Sequence, residues 1–442
     1  MPSRKPAKKP TIPKIHRAFK KGRWIDHIDP RDFIQKNYKP YKGDDSFLEG
    51  PTPKTKKVWA KTEKLLKQEF KKGGVLGIDT KTPSTITSHT PGYIDKKNES
   101  IVGVQTDKPL VRAIKPKGGV RLVERACASY GYKLDPKVSA LYRHHVKTHN
   151  DAVFDVYKHW DDFYTLEKHQ LFRKKGVITG LPDNYGRGRI IGDYRRIALY
   201  GVDRLLYEKE REMNRDCKFM NAEMIRLRSE GHYQIQALQE LKEMAASYGF
   251  DIGRPAEDTK EAIQWIYFGY LGAVKEQDGA AMSFGRIDSF IDIYAERDLK
   301  RDHYTERKIQ QFVDDFVIKL RLVRHLRVPE YNALFAGDPT WVTCVLGGMG
   351  KNKQPLVTKT SFRLLHTLEN LGPAPEPNLT VLWSHKLPKD FKNFAANTSI
   401  KSSSIQFEND ELMRPHHGDD YAIACCVSAM EVGKEMQFFG AR

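Results

Sequence analysis

Four short apolar runs punctuate the second half of the chain: GAAMSFGR, LFAGDPTWVTCVLGGMG, PNLTVLWS and SSIQFEND. Between and before them lie longer segments whose apolar residues recur at helical spacing. Lys54 to Lys72 reads as a charged surface helix. After Asp193, placed as an N-cap, Val202, Leu205 and Leu206 form one apolar stripe, and EKEREMNRD then reads as a solvated helix face. Ile235, Leu238, Leu241 and Met244 continue at the same spacing until Gly249 stops the helix. In DTKEAIQWIYFGYLGAVKEQDG, Asp258 and Glu261 are spaced as a capping box, with Ile263, Ile266, Tyr270 and Val274 on one face. A further helix is expected from Ile309 to Leu326, carrying Phe312, Val313, Phe316 and Leu320 inward and ending at Pro329. Short apolar runs alternating with long helices predict an α/β fold with parallel strands.

The last stretch, YAIACCVSAMEVGKEMQFFGAR, interrupts this alternation by setting Cys425 beside Cys426 in an apolar run. A disulfide between neighbours closes a strained eight-membered ring, because the bond wants its two Cα atoms well apart. Two geometries remain. On a buried strand, adjacent side chains face opposite ways and each cysteine acts as a small hydrophobe. At a hairpin tip, both sulfurs face one cavity, which suits a relay.

Composition narrows the function classes. A length of 442 residues suits two or three domains or one large barrel. The five cysteines, Cys127, Cys217, Cys344, Cys425 and Cys426, form neither a disulfide framework nor a CxxC zinc pattern, so a reducing, cytoplasmic setting and no metal are expected. The longest apolar run, near 421–430, falls far short of the roughly 20 residues that span a bilayer, so no membrane association is expected. The glycines match neither a dinucleotide fingerprint nor a phosphate loop. In GLPDNYGRGRIIGDYRRIALYGVDRLL, the four arginines Arg187, Arg189, Arg195 and Arg196 fall within ten residues. A guanidinium grips a carboxylate at two points, and each is equally explained by an ion pair.

The net charge is +19, and nine Lys or Arg with no acidic residue lie between Met1 and Arg23. Residues 1–23 are therefore expected as a basic, disordered arm ahead of a single unit at 24–442. The arm admits three readings: a solvated tail, a phosphate-contacting segment for nucleic acid, and a targeting segment.

DDYAIACCVSAM followed by MQFFGAR resembles pyruvate formate-lyase, the formate acetyltransferase of the glycyl radical enzymes. So do WIDHIDPRDFIQKNYKPYKGDDSFLEGPT, STITSHTPGYIDKKNESIVGVQTDKPL and LDPKVSALYRHHVKTHNDAVFDVY. The resemblance implies the first half of a ten-stranded α/β barrel, one parallel half-sheet with extensive surrounding helices, followed by a cysteine finger at 421–442. It implies that pyruvate and coenzyme A give acetyl-coenzyme A and formate. Cys426 would lose hydrogen to a glycyl radical, and Cys425 would then add to the pyruvate carbonyl. By the same resemblance, Arg189, with Arg187 as the fallback, and Arg442 hold the substrate carboxylate, while Phe335, Trp341 and Phe439 wall the pocket. It also implies a homo-oligomer and an activating enzyme that uses S-adenosylmethionine. The family's radical motif, resembling R-V-S-G-Y-A, has no counterpart in these residues. The radical glycine is thus expected from a complementing C-terminal polypeptide. The alternative is a non-catalytic fragment or scaffold derived from the lyase, whose basic arm holds an anionic partner such as nucleic acid.

Overall fold

The computed structural model describes residues 13–117, 123–143, 188–214, 220–279, 281–330 and 340–438. All four short apolar runs are strands of one sheet: β4 (Ala281–Phe284), β5 (Thr343–Gly347), β6 (Asn378–Trp383) and β7 (Ile405–Asn409). With β3 (Gly188–Gly192) they lie in the order β3-β4-β5-β6-β7, all parallel, and β10 (Met436–Phe438) adds antiparallel to the β3 edge. A separate parallel pair, β1 (Gly77–Pro83) and β2 (Val111–Ile114), lies nearer the amino end. The five parallel strands run in chain order, each joined to the next through helix, as expected of parallel pairing.

Side-chain alternation divides the sheet into two faces. Met282, Phe284, Cys344, Leu346, Leu379 and Val381 point into the main core beneath the helices. Phe284 shows how tightly that face is closed: its ring centroid lies 4.5 Å from Tyr270 and 5.4 Å from Phe316. Tyr270 belongs to the helix Thr259–Glu276 and Phe316 to Glu306–Leu320, so both predicted apolar stripes meet on this strand. The opposite face carries Ile191, Ala281, Val345 and Leu382, and on them rests a hairpin of β8 (Tyr421–Ala424) and β9 (Ser428–Glu431).

Local chemistry accounts for most helix ends. The surface helix runs Pro53–Lys71, with Thr52 accepting from the Thr55 amide. The helix Ala222–Ser247 stops as anticipated before Gly249, whose φ of 86° suits glycine. Three expectations are corrected. Asp258 accepts from the Glu261 amide, but Glu261 reaches the Glu257 amide and Arg254, so only half of the capping box forms. Glu306–Leu320 ends well before Pro329, because Leu322, Val323, Leu326 and Val328 are buried as a non-helical segment. Asp193 does not cap the helix Arg195–Met213, whose N-cap is Tyr194; its carboxylate pairs with Arg195 instead.

The arm also differs from its sequence reading. From Pro13 onward the chain is packed: His16 Nε2 lies 2.7 Å from the Leu199 carbonyl, and Phe19 stands edge-on to Phe33 at 5.1 Å. The boundary expected at Arg23 therefore comes too late. Charge dominates that segment, but its few apolar side chains are enough to anchor it. Residues 1–12 lie outside the described set.

Candidate functional site

The strand pair β8/β9 brings Cys425 and Cys426 to the tip of a hairpin, with Ala424 paired to Ser428 across it. Cys425 adopts φ of 62°, in the left-handed region that L-residues seldom enter, so the second geometry foreseen for the pair is the one adopted. The two sulfurs lie 3.7 Å apart. Cys426 and Val427 are exposed, Cys425 is half-buried, and Ser428 is buried behind them.

The root of the hairpin is fixed by two buried arginines. Arg195 pairs with Asp420 at 3.1 and 2.8 Å and with Asp193 at 2.7 Å. Arg286 donates to the Tyr421 carbonyl at 3.1 Å and to the Gly347 carbonyl at 3.2 Å, and its guanidinium sits 5.3 Å from the Tyr421 ring centre. The Tyr421 hydroxyl in turn donates to Asp410 at 2.9 Å. On the far side, the Gly433 amide donates to the Ile191 carbonyl and returns the chain to the sheet.

At the tip the backbone carbonyls are held by neutral side chains. Thr343 Oγ1 donates to the Cys425 carbonyl at 2.7 Å, and Asn378 Nδ2 donates to the same oxygen at 3.2 Å. Asn378 Nδ2 also donates to Gln406 Oε1 at 2.6 Å, while Gln406 Nε2 donates to the Cys426 carbonyl. Arg189, on β3, donates through Nη1 to Ser428 Oγ and, at 3.5 Å, to Gln437 Oε1.

This environment separates the thiols. A hydrogen bond from Cys425, aided by the Arg189 charge, lowers the Cys426 pKa to about 6. The same bond and burial push the Cys425 thiol up. Two further cysteines contrast with the pair: burial raises Cys127 to about 11 and Cys344 still higher, as befits core packing. The site thus places two hydrogen-bonded sulfurs, the exposed one the more acidic, beside a guanidinium.

Of the residues predicted for the site, Cys425, Cys426 and Arg189 meet at the tip. Trp341 packs at the edge of the apolar cluster beneath the hairpin, with φ of 53°. Arg187, Phe335, Phe439 and Arg442 lie outside the described residues, as does Cys217. Arg195 forms buried ion pairs, and Arg196 pairs with Asp193 at 3.2 Å. Sequence reasoning missed Thr343, Asn378, Gln406, Ser428 and Arg286. Their one signal was polar side chains at period two, such as Asn378 and Thr380, within strands expected to be apolar on both faces.

A family model described as pyruvate formate lyase-like matches residues 23–442. A formate acetyltransferase of Haemophilus influenzae is 56% identical over 431 residues, a match covering 96% of this chain and 55% of the relative. Among solved structures, the glycerol-bound B12-independent glycerol dehydratase of Clostridium butyricum superposes with a TM-score of 0.64 at 18% identity, over 88% of this chain and 56% of that one. A glycyl radical enzyme from Archaeoglobus fulgidus gives 0.59 at 14% identity, over 90% of this chain and 55% of its own. The half-barrel is therefore that of the glycyl radical enzymes, and the chain spans about half the length of the curated relative it matches. No helix among the described residues is long and apolar enough to cross a membrane.

Proposed function

The chain belongs to the pyruvate formate-lyase-like family, and from that premise we propose that it carries the thiol half of a formate C-acetyltransferase site. The observation that carries the reading is the pair of sulfurs held 3.7 Å apart at an exposed hairpin tip beside Arg189. A glycine-centred radical, supplied from outside these residues, provides abstraction of one hydrogen atom from a thiol. Cys426 is the exposed member of the pair, reachable by an incoming group.

A hydrogen atom then passes from the Cys425 thiol to Cys426 over the short gap, leaving the unpaired electron on Cys425. That sulfur adds to the carbonyl carbon of pyruvate. The bond from this carbon to the carboxylate breaks, leaving acetyl on Cys425, and the departing carboxylate radical takes the hydrogen atom of the Cys426 thiol to become formate, which returns the unpaired electron to Cys426. Coenzyme A accepts the acetyl group by thioester exchange, which restores the Cys425 thiol. Arg189, beside the two sulfurs, is the residue assigned to the pyruvate carboxylate, a role for a planar two-point donor. The chain's own contribution is placement, since the radical performs the difficult chemistry.

The test combines the purified chain, a polypeptide carrying the radical glycine, an activating enzyme and S-adenosylmethionine under anaerobic conditions. Formate and acetyl-coenzyme A are expected, and Cys425→Ser removes acetyl-enzyme. Accumulation of acetyl thioester in Cys425→Ser overturns the assignment of the two sulfurs.

A further inference from the structure

We propose that Thr343, Asn378 and Gln406 form a positioning ladder that sets the backbone of the hairpin tip so that both thiols face the same side. This proposal deepens the acetyltransferase reading above and rests on it for its catalytic meaning. The three side chains come from adjacent parallel strands, β5, β6 and β7, and lie on the sheet face that carries the hairpin. Each is bonded to the tip or to its neighbour: Thr343 and Asn378 converge on the Cys425 carbonyl, Asn378 joins Gln406, and Gln406 donates to the Cys426 carbonyl.

The physical need for such a device follows from the backbone. A left-handed conformation at a residue with a side chain is unfavourable, and it persists only where surroundings hold it. Cys425 has φ of 62° and lies in a three-residue turn in which its side chain only partly packs on the apolar cluster and Val427 is exposed, so non-directional packing leaves the peptide planes of the turn unfixed. The carbonyls of Cys425 and Cys426 are the groups whose direction fixes this turn. Three donors aimed at them hold the peptide planes, and with the planes the Cβ–Sγ vectors. In an extended strand the two sulfurs would point to opposite faces. Here they are 3.7 Å apart, close enough for one to donate to the other. The ladder lies beneath the turn and reaches it through backbone oxygens, leaving both sulfurs clear for chemistry.

The experiment uses the full chain, reduced and anaerobic, without radical, pyruvate or coenzyme A. Two readouts report sulfur placement: cross-linking of the pair by dibromobimane, and the pH profile of iodoacetamide alkylation at Cys426, read by peptide mass spectrometry. Thr343→Val, Asn378→Leu and Gln406→Leu are expected to lower cross-linking yield severalfold and to raise the Cys426 pH midpoint by about one pH unit or more. Thr343→Ser, which keeps the hydroxyl, is expected to retain wild-type behaviour in both. Asn378 and Gln406 are only partly buried, so their variants decide the question if Thr343→Val fails to fold. Wild-type cross-linking and pH profile in folded Asn378→Leu and Gln406→Leu would overturn the ladder. Because neither readout involves turnover, failure of the complementation assay leaves this result standing, and failure here leaves the acetyltransferase assignment to its own test.

Discussion

The two faces of the central sheet are built from alternate residues of the same strands, yet they are held by different forces. On the helical face Met282, Phe284, Cys344, Leu346, Leu379 and Val381 are buried beneath helices, and closure is apolar. On the other face the apolar patch of Ile191, Ala281, Val345 and Leu382 lies mainly beneath the body of the hairpin and touches its tip at Cys425, while hydrogen bonds from Thr343, Asn378 and Gln406 hold the tip carbonyls. Non-directional burial tolerates many side-chain arrangements, whereas a hydrogen bond fixes an atom in place. The first holds the fold and the second fixes the turn that carries the two cysteines.

Substitutions at neighbouring positions test that contrast most strongly. Phe284→Ala, on the helical face, is expected to cost about 3 to 5 kcal/mol in urea unfolding, against about 1 to 2 kcal/mol for Ser283→Ala on the opposite face of the same strand, where the buried hydroxyl accepts from the Thr343 amide. Equal losses would mean that the faces do not differ as described.

The two arginines near the hairpin sharpen it next. Arg195→Met leaves Asp420 buried without its partner and Asp193 with Arg196 alone, and a loss of about 3 kcal/mol or more in stability is expected. Arg189→Lys should unfold at nearly the wild-type denaturant concentration. Its deficit, about 1 to 3 kcal/mol, should fall instead on kcat/KM for pyruvate in the complemented system. Unchanged kcat/KM would remove Arg189 from carboxylate recognition.

A pH dependence belongs to the helical side. Burial raises Asp314 to about 7 and Asp315 to about 6, both on the helix Glu306–Leu320. A carboxyl with a raised folded-state pKa binds its proton more tightly when folded. Its stabilising contribution is therefore complete below the ordinary carboxylate range and is lost as pH rises through the folded value. Stability should fall from about pH 4 to about pH 7, by at most about 1.4 kcal/mol per pH unit for each group. Asp314→Asn should flatten that slope, and an unchanged slope would show that Asp314 does not titrate in this window.

The smallest expected effect is on the finger side. Cys425→Ala removes the thiol that chiefly lowers Cys426, so the Cys426 pH midpoint should climb from about 6 toward its ordinary value. The thiolate fraction at pH 7 drops roughly 30-fold if the ordinary value is reached. Greater intrinsic nucleophilicity returns about tenfold, leaving alkylation about threefold slower. A midpoint that stays near its wild-type value would assign the low pKa to Arg189.

Much of this architecture was written in local pattern. The four short apolar runs became β4 to β7, and the stripes through Tyr270 and Phe316 became the helices packed on Phe284, because periodicity of two or of three to four residues is a property of neighbours in the chain. The adjacency of Cys425 and Cys426 was likewise plain, as was the concentration of arginines ahead of the helix Arg195–Met213. What the sequence could not assign was direction. Arg189 and Arg195 read alike along the chain, and one was placed among buried carboxylates while the other faces the hairpin only because β3 ends between them. Asn378 and Gln406 read as ordinary polar residues in strands until the register of β6 on β7 set them side by side beneath a turn whose cysteine carbonyls lie 47 and 20 residues further along the chain. Periodicity passes from residue to residue, but the aim of a polar side chain is settled by whatever strand folding brings opposite it, and that partner is chosen by tertiary packing.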